Sequence, residues 1–104
     1  MIKIIDGKRY NTDTATEIAD YGNGLGTSDF RNIWEVLYLT PKGAWFMKYS
    51  GGAMTRYSES CGNNSWCGSK GIRALSADEA FEWLQEHDET EALEKYFSDK
   101  LQDA

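Results

Sequence analysis

The sequence predicts an α+β fold: an antiparallel sheet of about four to six strands, with hairpins at residues 2–10 and 33–49, packed against two C-terminal helices at about 77–87 and 89–101. Two observations predict it. Segments rich in β-branched and aromatic residues, separated by turn residues, fill most of the chain, and helix-capping motifs with apolar residues at helical spacing follow them. With 104 residues, of which 40% are hydrophobic, the chain has the size of a single domain, 1–104.

Each hairpin is predicted by its turn. In the first, Asp6-Gly7 supplies the positive φ angles that a two-residue turn requires. In the second, Thr40-Pro-Lys-Gly43 has proline and glycine at the positions that a type I turn favours. Thr14 to Tyr21 has both helical apolar spacing and strand-forming threonines, and we interpret it as a strand. The glycine-rich residues 22–29 then form a loop.

The strand Ile33 to Leu39 carries apolar groups on both faces, since Trp34, Val36 and Tyr38 alternate with Leu37 and Leu39. A strand that is apolar on both faces belongs at the centre of a sheet with cover on each side. We expect a helix to supply that cover.

The last quarter of the chain supplies two helices. Ser76-Ala-Asp-Glu79 is a capping box, and it follows a short strand-like segment at 72–75. Residues 88–91 repeat the capping pattern before a second helix. The predicted inward residues of the first helix, at three-and-four spacing, are Ala77, Ala80, Phe81 and Leu84. Those of the second are Leu93, Phe97 and Leu101.

Negative charge is concentrated in this helical segment. From Ser76 onward ten acidic residues face two lysines, a net charge of −8, whereas residues 1–75 carry +2. Asp78, Glu82 and Glu86 stack at i, i+4 and i+8, which costs about 0.2–0.5 kcal/mol per like-charged pair in an isolated helix. A solvated surface explains part of this pattern, because first-turn carboxylates also favour the helix dipole.

A binding surface is the competing explanation. An acidic face can dock on a basic protein surface and imitate the phosphate charge of nucleic acid at a nucleic-acid-binding partner. The candidate partner-binding carboxylates are Asp78, Glu82, Glu86 and Glu89. A second candidate surface consists of aromatic side chains on the sheet, namely Trp45, Tyr49, Tyr57 and Trp66. The alternative is that these side chains pack in the core.

Several classes of function are disfavoured. Direct nucleic-acid binding is unexpected at a pI of 4.7, and a membrane partner is unexpected because no run of about 18 apolar residues is present. Met1 leads straight into a strand-like segment, so a cytoplasmic location is expected. The sequence gives no oligomeric state.

Reactive residues are few. Cys61 and Cys67 lie in a glycine-rich loop where a small disulfide ring could close, but free thiols are expected, because an intracellular chain is usually kept reduced. His87 is the single histidine and has no cysteine ligands near it, so neither a metal site nor a cofactor is expected. No nucleophile motif accompanies it, and the chain is interpreted as non-enzymatic. The alternative is a small-ligand-binding or catalytic domain that uses the Gly51–Gly71 loop, with Arg56, Cys61, Trp66 and Cys67 in its pocket.

Four segments carry a resemblance to a known group of proteins. They are Asp-Gly-Lys-Arg-Tyr-Asn-Thr at 6–12, Leu-Tyr-Leu-Thr-Pro-Lys-Gly-Ala-Trp-Phe at 37–46, Gly-Gly-Ala-Met-Thr-Arg-Tyr at 51–57, and Leu-Ser-Ala-Asp-Glu-Ala-Phe-Glu-Trp-Leu at 75–84 followed by His87. Together they resemble a family of short proteins of bacteria, phages and plasmids, most of them without an assigned activity. Small acidic proteins of mobile elements include anti-CRISPR proteins, which act by binding. The resemblance therefore implies an inhibitor or adaptor that docks on a protein partner, such as a nucleic-acid-binding defence complex.

Overall fold

A computed structural model describes residues 1–26, 29–62 and 65–104, and it confirms the predicted α+β class. Strands β1 to β8 span Ile2–Ile5, Lys8–Asn11, Thr16–Gly22, Ile33–Leu39, Trp45–Gly51, Glu59–Gly62, Ser65–Cys67 and Ser69–Leu75. Helices α1 and α2 span Ala77–Glu86 and Thr90–Tyr96, and a 3₁₀ turn follows at Ser98–Lys100. The predicted loop at 22–29 includes two positions outside the described residues. The segment 51–71 also includes two such positions, and the prediction that it is a loop is wrong for much of its described part, which contains β6, β7 and the start of β8.

The strands form one larger sheet and two hairpins. The larger sheet is antiparallel, with the strand order β3-β4-β5-β8, while β1 pairs with β2 and β6 with β7. In the sheet, Glu35 lies opposite Tyr49, and Tyr49 lies opposite Gly71. Because side chains alternate along a strand, odd-numbered residues of β4, β5 and β8 share one face and even-numbered residues the other.

Both predicted turns are present. Asp6 and Gly7 have φ angles of 51° and 75°, as the two-residue turn between β1 and β2 requires. The amide of Gly43 donates to the carbonyl of Thr40 at 2.9 Å, which closes the turn between β4 and β5. The ambiguous segment at 14–21 is a strand, β3, as interpreted from its threonines.

The helix-covered face of the sheet holds the larger core cluster. Leu37 and Met47 of the sheet pack against Ala80 and Leu84 of α1, and all four side chains are buried. The predicted inward stripe of α1 is correct for Ala80 and Leu84, whose side chains are fully buried. Ala77 is exposed instead, and Trp83, which the stripe omits, is buried at this interface.

The second helix is shorter than the predicted range 89–101. It ends at Tyr96, because Phe97 leaves the helical conformation, with φ −132° and ψ 25°. That bend inserts the Phe97 ring beneath the helices, where its centroid lies 5.2 Å from that of Trp45. Leu101 lies beyond the 3₁₀ turn and is 38% exposed, so it does not join the core.

The opposite face of the sheet is covered by a hairpin rather than by a helix. Tyr10 of β2 packs with Val36, Tyr38, Phe46 and Ile72 in a second core cluster. The expected helical cover is therefore confirmed on one face of the sheet and wrong for this one. The chain has two helices in its described part, and both follow β8 and pack on the other face, where the α1 contacts are made with β5 and β8.

The expectation of free thiols is wrong as well, because Cys61 and Cys67 form a disulfide. Strands β6 and β7 pair with Glu59 opposite Cys67, and a register irregularity follows Ser60. This geometry brings the two cysteine Cα atoms to 5.8 Å, within the span that a disulfide bridges. The sequence spacing of six permits such a ring but does not require it.

The disulfide is expected to hold the β6–β7 hairpin together. Every described residue of these strands is exposed or half-buried, and an isolated two-stranded hairpin is marginally stable in water. We expect the Cys61→Ser, Cys67→Ser variant to lose amide protection in β6 and β7 while β4 and β5 keep theirs. Closing a ring of this size stabilises by about 2–3 kcal/mol in the chain-entropy picture. Hydrogen exchange measured by mass spectrometry checks this, and unchanged protection of the hairpin would contradict it.

Candidate functional site

A buried carboxylate lies at the centre of the helix-covered face. Among the described residues, Glu35 is the one charged side chain that is buried, with 2% of its surface exposed. Charged side chains are almost never fully buried unless they are paired. Glu35 is also the single charged residue within the apolar strand Ile33–Leu39, a signal in the sequence that points to a buried partner and that the prediction of site residues missed.

Three donors from two separate segments bind this carboxylate. Arg56 donates from Nη2 to Oε2 at 2.9 Å, and the Tyr57 hydroxyl donates to the same oxygen. The indole Nε1 of Trp83, on α1, donates to Oε1 at 3.2 Å. Each oxygen of Glu35 therefore has a donor, and the network links β4 to α1 and to the loop that follows β5.

The loop can return to Glu35 because Gly51 ends β5. A Cβ atom at this position would collide with the side chains of Thr55 and Tyr57, so glycine permits the close approach. The ring of Tyr57 then stacks on that of Tyr49 with their centroids 4.4 Å apart. This stack places the Tyr57 hydroxyl against Glu35.

Hydrogen bonding keeps Glu35 ionised. Burial acts to raise the pKa of its carboxyl, but the hydrogen bonds from Tyr57, Arg56 and Trp83 outweigh burial and lower the pKa below its ordinary value of 4.5. Burial raises the pKa of Tyr57 above 10.0, and its hydrogen bond to Glu35 adds to that shift. The site thus holds a carboxylate and a neutral phenol at physiological pH.

A cleft of about 260 Å³ opens beside this network. It lies along one side of α1, and its lining includes both charged and aromatic groups: Glu35, Arg56, Arg73, Glu82, Trp83 and Glu86. Clefts that hold drug-sized ligands measure about 300–1,000 Å³. The space beside α1 is therefore suited to one side chain of a partner rather than to a larger ligand.

The four predicted acidic residues have different surroundings. Glu82 and Glu86 are exposed and line this cleft. Asp78 accepts from Lys100 Nζ at 2.6 Å, and that hydrogen bond, with the lysine's charge, lowers the pKa of Asp78. Glu89 is half-buried at the N-cap of α2. Within the described part of the chain, no cation lies within ion-pair distance of Glu82, Glu86 or Glu89.

The four predicted aromatic residues do not form one surface. Trp45 is 7% exposed and packs in the core against Phe97. Tyr49 and Tyr57 are half-buried beside Glu35. Trp66, on β7, is 63% exposed. The structure therefore brings Tyr57 together with Glu82 and Glu86 around one site, and it separates Trp45 and Trp66 from that site.

The residues of the alternative pocket are also separated. Trp66 and Cys67 line a cleft of about 680 Å³ together with Gly51, Gly52 and Gly68. Arg56 lines the cleft beside α1 instead, because its guanidinium is held by Glu35. Cys61 and Cys67 are joined in the disulfide, so neither is a nucleophile in this state.

His87 contributes packing at the end of α1. Its ring stacks on that of Tyr21, with the two ring centroids 4.2 Å apart, and lies edge-on to Trp83, with the centroids 4.5 Å apart. Across residues 1–26, 29–62 and 65–104, no group of three or more potential ligand side chains is arranged to hold a metal ion. Nor is any helix in those ranges both long and apolar enough to cross a membrane.

Comparisons of the chain with protein-family models, curated proteins and solved structures found no match.

Proposed function

We propose that this chain is a non-enzymatic protein-binding inhibitor or adaptor of a mobile element, of the anti-CRISPR type, which docks the acidic face of α1 on a basic partner surface. One observation carries the proposal: Glu82 and Glu86 are exposed, line a cleft together, and lie beyond ion-pair distance of every cation in the described ranges. Their charge is available to a partner.

The two arginines in the cleft leave that charge in place. Arg56 is bound to the buried carboxylate of Glu35. Arg73 lies near Glu79. The main cause that lowers the pKa of Glu79 is a hydrogen bond from the Ser76 backbone, and the charge of Arg73 makes the smallest contribution. An arginine or lysine of the partner would meet Glu82 and Glu86 with its charged end.

A cytoplasmic location remains part of the proposal, and the disulfide is an observation against it. Disulfides persist mainly in oxidising compartments and are rare in the cytosol. Thiol labelling of the protein immediately after extraction from its host tests this point. A cytoplasmic protein in the reduced state would label at both Cys61 and Cys67, whereas an oxidised protein would label at neither.

Neutralising the acidic face is expected to weaken binding to the partner. The variant Glu82→Gln, Glu86→Gln, Glu89→Gln removes three charges and keeps the shape of the side chains. Exposed ion pairs contribute about 0.2–1 kcal/mol each, so we expect a loss of roughly 3- to 150-fold in affinity for three pairs. The partner is first recovered from a host lysate on immobilised wild-type protein and identified by mass spectrometry. Its affinity is then measured by calorimetry at several salt concentrations.

A second variant controls for net charge. Glu94→Gln, Asp99→Asn, Asp103→Asn also removes three carboxylates, all of them exposed and none of them in the lining of the cleft beside α1. We expect this control to bind nearly as the wild type does, with a similar dependence on salt. Equal affinities and equal salt slopes for the wild type and the Glu82→Gln, Glu86→Gln, Glu89→Gln variant would exclude docking through the acidic face.

A further inference from the structure

The face of the sheet that the helices do not cover carries a concave surface near the ends of β4, β5 and β8. Three shallow clefts, of about 680, 420 and 230 Å³, meet there, and Ser50 lines all three. Trp34, Ser50 and Lys70 lie side by side in the strand register across β4, β5 and β8. We call this region the Ser50 surface, defined by Phe30, Trp34, Lys48, Ser50, Trp66 and Lys70.

Three aromatic rings on the Ser50 surface face solvent. Phe30 is 65% exposed, Trp34 is 46% exposed and Trp66 is 63% exposed. Phe30 and Trp66 line the cleft of about 680 Å³, and Trp34 lines the two smaller clefts that adjoin it at Ser50. Single exposed apolar side chains are ordinary, but large exposed aromatic rings along adjoining clefts mark an interaction site. The β1–β2 hairpin covers the other half of this face, where Tyr38 and Phe46 are buried beneath Tyr10. The exposure of the three rings is therefore a property of this end of the sheet.

Two lysines accompany the rings. Lys48 lies with its Nζ 5.7 Å from the centroid of the Trp34 ring. Lys70, on β8, is the diagonal neighbour of Lys48 across the strand pair. Such diagonal neighbours are typically about 7–8 Å apart. The nearby carboxylates are Asp20, on the same face of β3, and Asp29, which is paired with Arg31 at 3.2 Å. The Ser50 surface is thus locally cationic in a chain whose net charge is −6.

The acidic helices do not cancel this local charge. They cover the other face of the sheet, so the sheet and the core beneath α1 separate Glu82 and Glu86 from Lys48 and Lys70. At physiological ionic strength, exposed charges further apart than about 8 Å are largely screened from each other. A ligand at the Ser50 surface meets the lysines and the rings first.

We infer that the Ser50 surface binds single-stranded nucleic acid. Bases stack on Trp34, Trp66 and Phe30, while the phosphates lie against Lys48 and Lys70. Proteins that bind single strands combine aromatic platforms with cationic side chains in this way, and the shallow clefts suit an extended chain of unstacked bases. The sequence disfavours nucleic-acid binding only through its negative net charge. In the structure, the carboxylates of α1 and the lysines of the Ser50 surface lie on opposite faces of the sheet. The inference is independent of docking through α1.

The test uses a fluorescein-labelled 20-residue oligothymidylate and measures fluorescence anisotropy between 50 and 200 mM NaCl. For two phosphates neutralised on a single strand, the logarithm of the binding constant is expected to fall with the logarithm of salt concentration with a slope of about −1.4. Stacking on an aromatic side chain is lost on truncation to alanine. We therefore expect Trp34→Ala and Trp66→Ala each to weaken binding by roughly 5- to 150-fold.

Charge variants separate this site from the acidic face. Lys48→Gln, Lys70→Gln should remove most of the salt dependence, whereas Lys42→Gln, an exposed lysine in the turn between β4 and β5, should leave binding unchanged. The variant Glu82→Gln, Glu86→Gln, Glu89→Gln should bind the oligonucleotide as the wild type does. Circular dichroism confirms that each variant is folded.

Three outcomes overturn the inference. The first is that folded wild-type protein binds neither oligothymidylate nor oligouridylate at 50 mM NaCl. The second is that binding survives both tryptophan substitutions unchanged. The third is that no oligonucleotide binds but the wild-type protein self-associates in sedimentation, and the variant Lys48→Gln, Lys70→Gln does not. The Ser50 surface would then be a contact between copies of this chain.

Discussion

Replacing Trp45 by alanine is expected to lower the free energy of unfolding by about 3–5 kcal/mol, the range observed when a large aromatic side chain is removed from a core. The indole is 7% exposed. It stacks on Phe97 with ring centroids 5.2 Å apart and meets the edge of Tyr96 at 5.8 Å. Its loss would leave a cavity beneath the bend that ends α2. The sheet and the C-terminal segment would then lose their main aromatic contact.

Urea unfolding followed by circular dichroism measures this loss, with Trp66→Ala as the matched control. Trp66 is 63% exposed, so its truncation should change stability by no more than about 0.5 kcal/mol. The pair of variants separates a tryptophan of the core from one available for binding. Similar free energies of unfolding for Trp45→Ala and the wild type would contradict the packing described for Trp45.

Replacing Glu35 by alanine is expected to lower the free energy of unfolding by about 2–4 kcal/mol. Removing one partner of a buried polar network leaves the others without an acceptor, and a buried donor left unsatisfied costs about 1–3 kcal/mol. Trp83 would lose the acceptor for its indole Nε1, and the Tyr57 hydroxyl would lose its carboxylate. Arg56 is largely exposed and regains water, so it adds less to the loss.

The pH dependence of stability identifies the charge of Glu35 within this effect. Because its pKa is lowered in the folded state, its contribution is present above the ordinary value of 4.5 and is lost as the pH falls through the lower pKa of the folded protein. Glu35→Gln keeps an acceptor oxygen but cannot ionise. The difference in free energy of unfolding between wild type and Glu35→Gln should therefore be largest near pH 7 and approach zero in strong acid. A difference that stays constant from pH 7 to strong acid would show that ionisation of Glu35 does not contribute.

Local sequence patterns predict those parts of the fold that local physics decides. The Asp6-Gly7 turn, the Thr40–Gly43 turn and the capping box at Ser76 each depend on neighbouring residues, and each is present. The end of α2 was missed because it depends on where Phe97 finds space beside Trp45, a contact between distant segments. The Cys61–Cys67 disulfide was missed for a related reason. A spacing of six allows the bond, but the register of β6 with β7 decides it.

The candidate site was less accessible to sequence reasoning than the fold. Glu82 and Glu86 were found from their helical spacing, since that spacing alone places them on one face of α1. Glu35 was not found, although its position in an apolar strand indicates a buried partner. Its partners Arg56 and Trp83 lie 21 and 48 residues away in the chain, so the pairing depends on the folded structure.

The separation of charge between two faces of one sheet has a consequence before any contact forms. A body with carboxylates along one side and lysines on the other is an electric dipole, and a dipole in the field of a highly charged macromolecule turns as it approaches. Such steering raises association rates, and the effect decreases as ionic strength rises. A cationic protein would attract the α1 side first, whereas a polyanion would repel the α1 side most strongly and so turn the Ser50 surface toward itself. The orientation of this small protein at encounter would then depend on which kind of macromolecule it meets.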